Sequence, residues 1–296
     1  MVYESPRVSE DRLSSDAAAP KSPAMGDHCT NNPPLDASES SSGEIVKLGE
    51  TEVYVSKPYD AELREASLLV LLTNGVGVHS VNNQVQADHF AKEGYFVVMP
   101  DLFNGDAAPK SANVAAAVPE KQELGLLDQI KMKAVEGVKG FMIDMWIARH
   151  TPENTMPIIE NVLTAVKEQY GDKQYKVSRG IYVVGYCFGG KYALRLAARD
   201  DVTAVAMAHG TMVDLEDIKG VKKPVTFACV ENDPFFPDEV REEGEKFLEE
   251  NKLEYELLVY KDVPHGFGVY GSYPDPLIKD AQAGVFEQFL EFFSSH

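Results

Sequence analysis

Six short runs of β-branched and other apolar residues recur along the chain: Leu68–Leu72, Tyr95–Met99, Ile181–Val184, Ala204–Ala208, Val225–Val230 and Tyr255–Val259. Runs that are apolar on both faces belong to a parallel sheet covered by helices. Helix-period patterns separate most of them, over Asn82–Glu93, Glu153–Tyr170, Gly189–Arg199 and Pro237–Glu250, with a last one over Pro276–Phe293. This alternation predicts a doubly wound, mostly parallel α/β sheet with helices on both faces. Ahead of the first run, Glu44–Leu48 and Glu52–Ser56 alternate as a hairpin around a Gly-Glu-Thr turn. Residues 107–150 break the rhythm with an Ala-rich run and two helix-prone stretches, Glu120–Lys133 and Phe141–Ile147. An insertion there is expected to cover the carboxyl edge of the sheet, where ligands bind in this architecture.

The chain divides unevenly. Residues 1–43 are rich in Ser, Pro, Asp and Ala, and Tyr3 is their only aromatic. Such a segment buries too little apolar surface to offset its ordering entropy, so 1–43 is expected to be a disordered extension. Residues 44–296 are then one domain, within the size range of α/β folds. No apolar stretch approaches the roughly 20 residues needed to span a bilayer, which excludes a membrane role. The N-terminus lacks the apolar core of a secretory signal and the Arg-rich character of a transit peptide. Acidic residues outnumber Lys and Arg by 19. Phosphate recognition needs clustered cations, so nucleic acid is excluded as a partner. Three widely separated cysteines, Cys29, Cys187 and Cys229, form no CxxC or Cys/His spacing. No metal site or disulfide framework is expected, and a reducing, cytoplasmic setting fits best.

One motif carries chemistry. Gly185-Tyr186-Cys187-Phe188-Gly189-Gly190 follows the apolar run Ile181–Val184 and precedes a helix-prone stretch. This is the strand–turn–helix context of the G-x-S-x-G nucleophile elbow, with Cys in place of Ser. The strained turn has no room for side chains at Gly185 and Gly189. The helix behind it aims its amides and dipole at the sulfur, which favours a thiolate and a developing oxyanion. A nucleophile needs a base and an orienting acid, in the order nucleophile, acid, base. Val225–Val230 runs into Glu231-Asn232-Asp233, and Tyr255–Val259 into Asp262-Val263-Pro264-His265. Asp233 and His265 therefore take those roles, with Glu231 as the rival acid. Among the other histidines, His79 and His209 follow strand ends and are candidates for substrate contact. His89 and His150 read as surface positions on helices. The oxyanion hole is expected to use the amide of Phe188 and a second from Thr73-Asn74-Gly75-Val76-Gly77, with Gly75 the favoured donor.

With these pieces in place, the chain resembles the dienelactone hydrolase family from about Glu44 to Phe293. The resemblance rests on the elbow, on Met99-Pro100-Asp101-Leu102-Phe103-Asn104-Gly105-Asp106 and on Pro264-His265-Gly266-Phe267, with Asn82–Asp88 similar to fungal members. It implies an α/β-hydrolase fold, a Cys-His-Asp triad, no cofactor, and a small-molecule ester or lactone as substrate. The implied setting is catabolism or detoxification of aromatic or xenobiotic compounds, by a monomer or weak dimer. It also implies substrate contacts near Asn74, Tyr186 and Tyr270. Where bacterial members carry a Glu that helps ionise the thiol, this chain has Asn74. Where they carry two substrate-binding Arg residues, it has Asn104-Gly105 and Gly268-Val269-Tyr270. An acyl transferase or thioesterase on the same triad, or a binding protein of the same fold, are the alternatives.

Overall fold

A computed structural model describes residues 31–59, 66–109 and 141–296. The expected helix over Glu120–Lys133, and Cys29 with the rest of residues 1–30, lie outside the described residues. Among the described residues there are eight strands: β1 (Glu44–Leu48), β2 (Thr51–Ser56), β3 (Ser67–Leu72), β4 (Tyr95–Pro100), β5 (Ile181–Tyr186), β6 (Val202–Ala208), β7 (Val225–Val230) and β8 (Tyr255–Tyr260). They form one sheet in the order β1-β2-β4-β3-β5-β6-β7-β8. The β1–β2 hairpin and the β2–β4 pair are antiparallel, and every other pair is parallel. This is the expected mostly parallel, doubly wound sheet of an α/β-hydrolase fold. Every residue of β5 and β7 is buried, as their uninterrupted apolar runs require.

The helices divide between the two faces. Beneath one face lie Ala87, Phe90 and Ala91 of α1 (Val81–Lys92), with Val285, Phe289, Phe292 and Phe293 of α6 (Pro276–Ser294). The other face holds α2 (Pro152–Tyr170), α3 (Phe188–Leu196), α4 (Leu215–Lys219) and α5 (Asp238–Glu250), through residues such as Ile159, Leu194, Ile218 and Leu248. Each such aliphatic side chain contributes about 1.5–3 kcal/mol of burial. Sheet register aligns Leu72 with Gly185, and Tyr186 with Ala208. The carboxyl ends of β3, β5 and β6 therefore meet at one edge.

One element is unforeseen and one expectation changes. The five-residue α4 has no apolar period to announce it; a capping box between Asp214 and Asp217 forms it. The extension expected to be disordered over 1–43 is instead packed on the domain from residue 31 onward. Pro33 carbonyl accepts from Asn82 Nδ2 at 2.8 Å, and Pro34 carbonyl from Ser272 amide at 2.7 Å. Asp36 accepts from Ser272 Oγ at 2.7 Å, and Glu39 from Tyr270 hydroxyl at 2.9 Å. Ser42 amide donates to Asp88 at 2.6 Å. Hydrogen bonds hold this stretch, and apolar composition does not register them.

Candidate active site

The elbow sits where β5 ends. Cys187 has φ 52° and ψ −114°, a left-handed conformation that costs a non-Gly residue about 1–3 kcal/mol and persists only where its surroundings fix it. Here Cys187 amide donates to Ala208 carbonyl at 3.1 Å, and its carbonyl accepts from the amides of Gly190 and Thr211, each at 3.0 Å. A methyl group on Gly185 would strike the carbonyl of Gly189, and one on Gly189 would strike that of Leu72. Only glycine fits at either position. Gly189 amide also donates to Thr73 carbonyl at 3.0 Å, tying the elbow to the loop after β3.

Three loops converge on the sulfur. Cys187 Sγ lies 3.1 Å from Thr211 Oγ1. Thr211 Oγ1 lies 3.0 Å from His265 Nε2. His265 Nδ1 donates to Asp233 Oδ2 at 2.7 Å, and Asp233 Oδ1 accepts from Phe235 amide at 3.0 Å. The Nδ1–H bond fixes the tautomer and points Nε2 at the sulfur. The thiol also interacts directly with the imidazole. Cys187, Thr211 and Asp233 are at most 2 % exposed and His265 7 %, so these interactions operate in a low dielectric. Burial alone would drive the proton off His265. The hydrogen bonds and charges of Asp233 and Cys187 outweigh it and raise its pKa to about 9. Burial pushes the Cys229 thiol well up instead, in keeping with an inert core cysteine.

Asp233, and not Glu231, bonds to His265; Glu231 faces Lys261 at 3.4 Å on the surface. Phe188 opens α3, where a first-turn amide has no partner within the helix. Its ring packs on Phe103 and Trp146, with centroids 5.1 and 5.2 Å away. Gly75 lies in the loop bound to the elbow, and its carbonyl accepts from Ala108 amide at 2.8 Å. The left-handed glycine of that loop is Gly77, φ 83°. Asn74 is buried and locked: Nδ2 donates to Asn32 Oδ1 at 2.7 Å, and Oδ1 accepts from Asn83 Nδ2 at 3.0 Å.

Of the remaining candidates His209 stays beside the triad and the others lie elsewhere. His79 is at the surface, 2.9 Å from Glu52 on β2, because Ser80 caps α1 and turns its neighbour outward. Tyr186 points beneath the sheet toward Phe289, as strand alternation requires of the residue before Cys187. His209 is fully buried, with its ring 5.1 Å from that of His265. Tyr270 stacks edge-on against His89 at 4.5 Å and borders a cavity of about 220 Å³ with Gln86, Gly268 and Phe286. His150 corrects the reading of it as a surface residue. It is buried, and its Nδ1 donates to Trp146 carbonyl at 2.8 Å. Thr211 was not legible: it lies 24 residues from Cys187 and 54 from His265 in a loop without a motif.

The sequence matches the profile of the Dienelactone hydrolase family over residues 51–296. The chain belongs to the dienelactone hydrolase family. Among curated relatives, the hydrolase tropI of Talaromyces stipitatus is 33% identical over 86% of this chain and 90% of its own. The hydrolase pyvD of Aspergillus violaceofuscus is 30% identical over the same shares. A putative dienelactone hydrolase from Klebsiella pneumoniae superposes with a TM-score of 0.64 at 14% identity, covering 86% of this chain and 99% of that one, which speaks to shared fold. Like its family, this chain is a hydrolase acting on ester or lactone bonds. Among the described residues no helix is long and apolar enough to cross a membrane.

Proposed function

We propose that Cys187, His265 and Asp233 act as nucleophile, base and orienting acid in cleaving small, uncharged esters or lactones through an acyl-thioester on Cys187. The thiolate attacks the carbonyl carbon, and the amides of Phe188 and Gly75 receive the developing oxyanion. His265 Nε2–H gives its proton to the leaving alkoxide, which in a lactone stays tethered to the acyl chain. The neutral imidazole then takes a proton from water, the hydroxide so formed attacks the thioester, and the C–S bond breaks to release the carboxylic acid and return the Cys187 thiolate beside protonated His265. Asp233 holds the ring and stabilises its charge without itself becoming protonated.

The observation that supports this reading most is the linked set Asp233, His265, Thr211 and Cys187 at 2.7, 3.0 and 3.1 Å, beneath a nucleophile held at positive φ. Hydrolysis of p-nitrophenyl acetate tests it. Cys187→Ala is expected to abolish turnover, and His265→Ala and Asp233→Asn each to lower kcat by about 10⁴-fold. Normal turnover by Cys187→Ala would refute the assignment.

A further inference from the structure

We propose that Thr211 is a catalytic residue whose hydroxyl bridges the Cys187 thiolate and the His265 imidazolium, favouring that ion pair over the neutral thiol and imidazole. This rests on the nucleophile and base assigned above. When the pair forms, the S–H bond breaks and an N–H bond forms at His265 Nε2. Thr211 keeps one proton throughout.

A hydroxyl offers one donor and two lone pairs. At 3.1 Å from Sγ and 3.0 Å from Nε2, Thr211 Oγ1 donates to the thiolate while accepting from the imidazolium. Both bonds are then charge-assisted, about twice as strong as neutral ones. Between a neutral thiol and imidazole the same contacts are weaker, because S–H is a poor donor. The hydroxyl therefore stabilises the charged form selectively.

The loop after β6 is built to hold it there. Thr211 amide donates to Cys187 carbonyl at 3.0 Å and Met212 amide to Phe235 carbonyl at 3.1 Å. Lys191 Nζ donates to Met212 carbonyl at 2.8 Å. His209 and Met212, on either side, have φ of 37° and 56°, strain that these bonds sustain. Several ionisable groups lie on the elements packed around the pair. His209 lies on the same loop and Tyr186 on β5. Asp233, after β7, is bonded to His265. Lys191 on α3 is paired with Asp214 and Asp217, and Arg195 with Asp217.

Thr211→Val keeps the shape and removes the hydroxyl; Thr211→Ser keeps the hydroxyl. The readouts are kcat/KM for p-nitrophenyl acetate and the alkylation rate of Cys187 by iodoacetamide, across about pH 5 to 10, spanning the thiol and imidazole ranges. Thr211→Val is expected to move the acid limb of both profiles up by about one pH unit, a loss that approaches about tenfold at pH values below the limb and shrinks toward none on the plateau above it. Thr211→Ser should stay within about threefold of the parent, since it retains the same charge-assisted bonds. Thr211→Ala provides a second hydroxyl-free variant if the valine protein does not melt cooperatively. Parental profiles in the hydroxyl-free variants would overturn the proposal, as would a loss uniform in pH that serine does not rescue. Cys187→Ala in parallel keeps the two readings apart: activity there sinks the triad, whereas an inert Cys187→Ala beside an unaffected Thr211→Val sinks the bridge alone.

Discussion

His265 ties the chemistry of this protein to its stability. Its folded pKa of about 9 lies above the ordinary value of 6.5. A raised histidine pKa contributes stability that is fully present below the unfolded value and lost as pH rises through the folded one. The window is therefore roughly pH 6.5 to 9. Asp233→Asn removes the strongest of the influences that hold the proton. The melting-temperature gap between parent and Asp233→Asn is expected to be widest at and below pH 6.5 and to narrow as pH passes 9. A gap independent of pH would show that the pairing does not set the proton affinity. The residues proposed as nucleophile, acid and base could be located in the sequence one by one, because the elbow glycines and the order of strand ends constrain them. Thr211 could not, since a single hydroxyl acquires meaning only when the β6 loop folds over the sulfur.

At the scale of elements, the strands were legible and the polar connections were not. Runs such as Ile181–Val184 bury both faces, so their apolar character announces them. The helix after the elbow starts at Phe188, one residue earlier than its apolar pattern suggested, and ends at Leu196. Residues 31–43 carry little apolar signal, because their partners are polar and lie far along the chain: Asn32 meets Asn74 and Ser80, and Ser42 meets Asp88. Asp88 is buried and also accepts from Tyr54 and Ser56, at 2.8 and 2.6 Å. Deleting residues 1–24 is expected to leave the melting temperature within about 2 °C, whereas deleting 1–43 uncovers Asp88 and Asn74 and should lower it by about 5 °C or more, at 2–4 °C per kcal/mol for a domain this size. Differential scanning calorimetry compares the three chains directly. Equal melting temperatures would mean that the packed stretch contributes nothing to stability.

For the molecule as a whole, charge bears on what can be bound. The net charge of −19 repels anions at a distance. Two cations on segments that border the elbow are already engaged: Arg149, three residues after the Trp146 that packs on Phe188, with Asp106 at 2.8 Å, and Lys191 on α3 with Asp214 and Asp217 at 2.9 and 2.8 Å. A desolvated carboxylate without a partner binds poorly. Neutral esters or lactones are therefore expected to exceed matched anionic ones in kcat/KM by about tenfold or more, the effect of some 1.4 kcal/mol. A preference for the anionic member of a pair would contradict this. The central claim is the acyl-thioester, and acid-quenched intact-mass and peptide mass spectrometry during p-nitrophenyl acetate turnover tests it most directly. The account predicts a single added acetyl group on the peptide containing Cys187, forming within the first turnover and absent from Cys187→Ala. Acetylation of another residue during turnover, or Cys187→Ala turning over as fast as the parent, would contradict it.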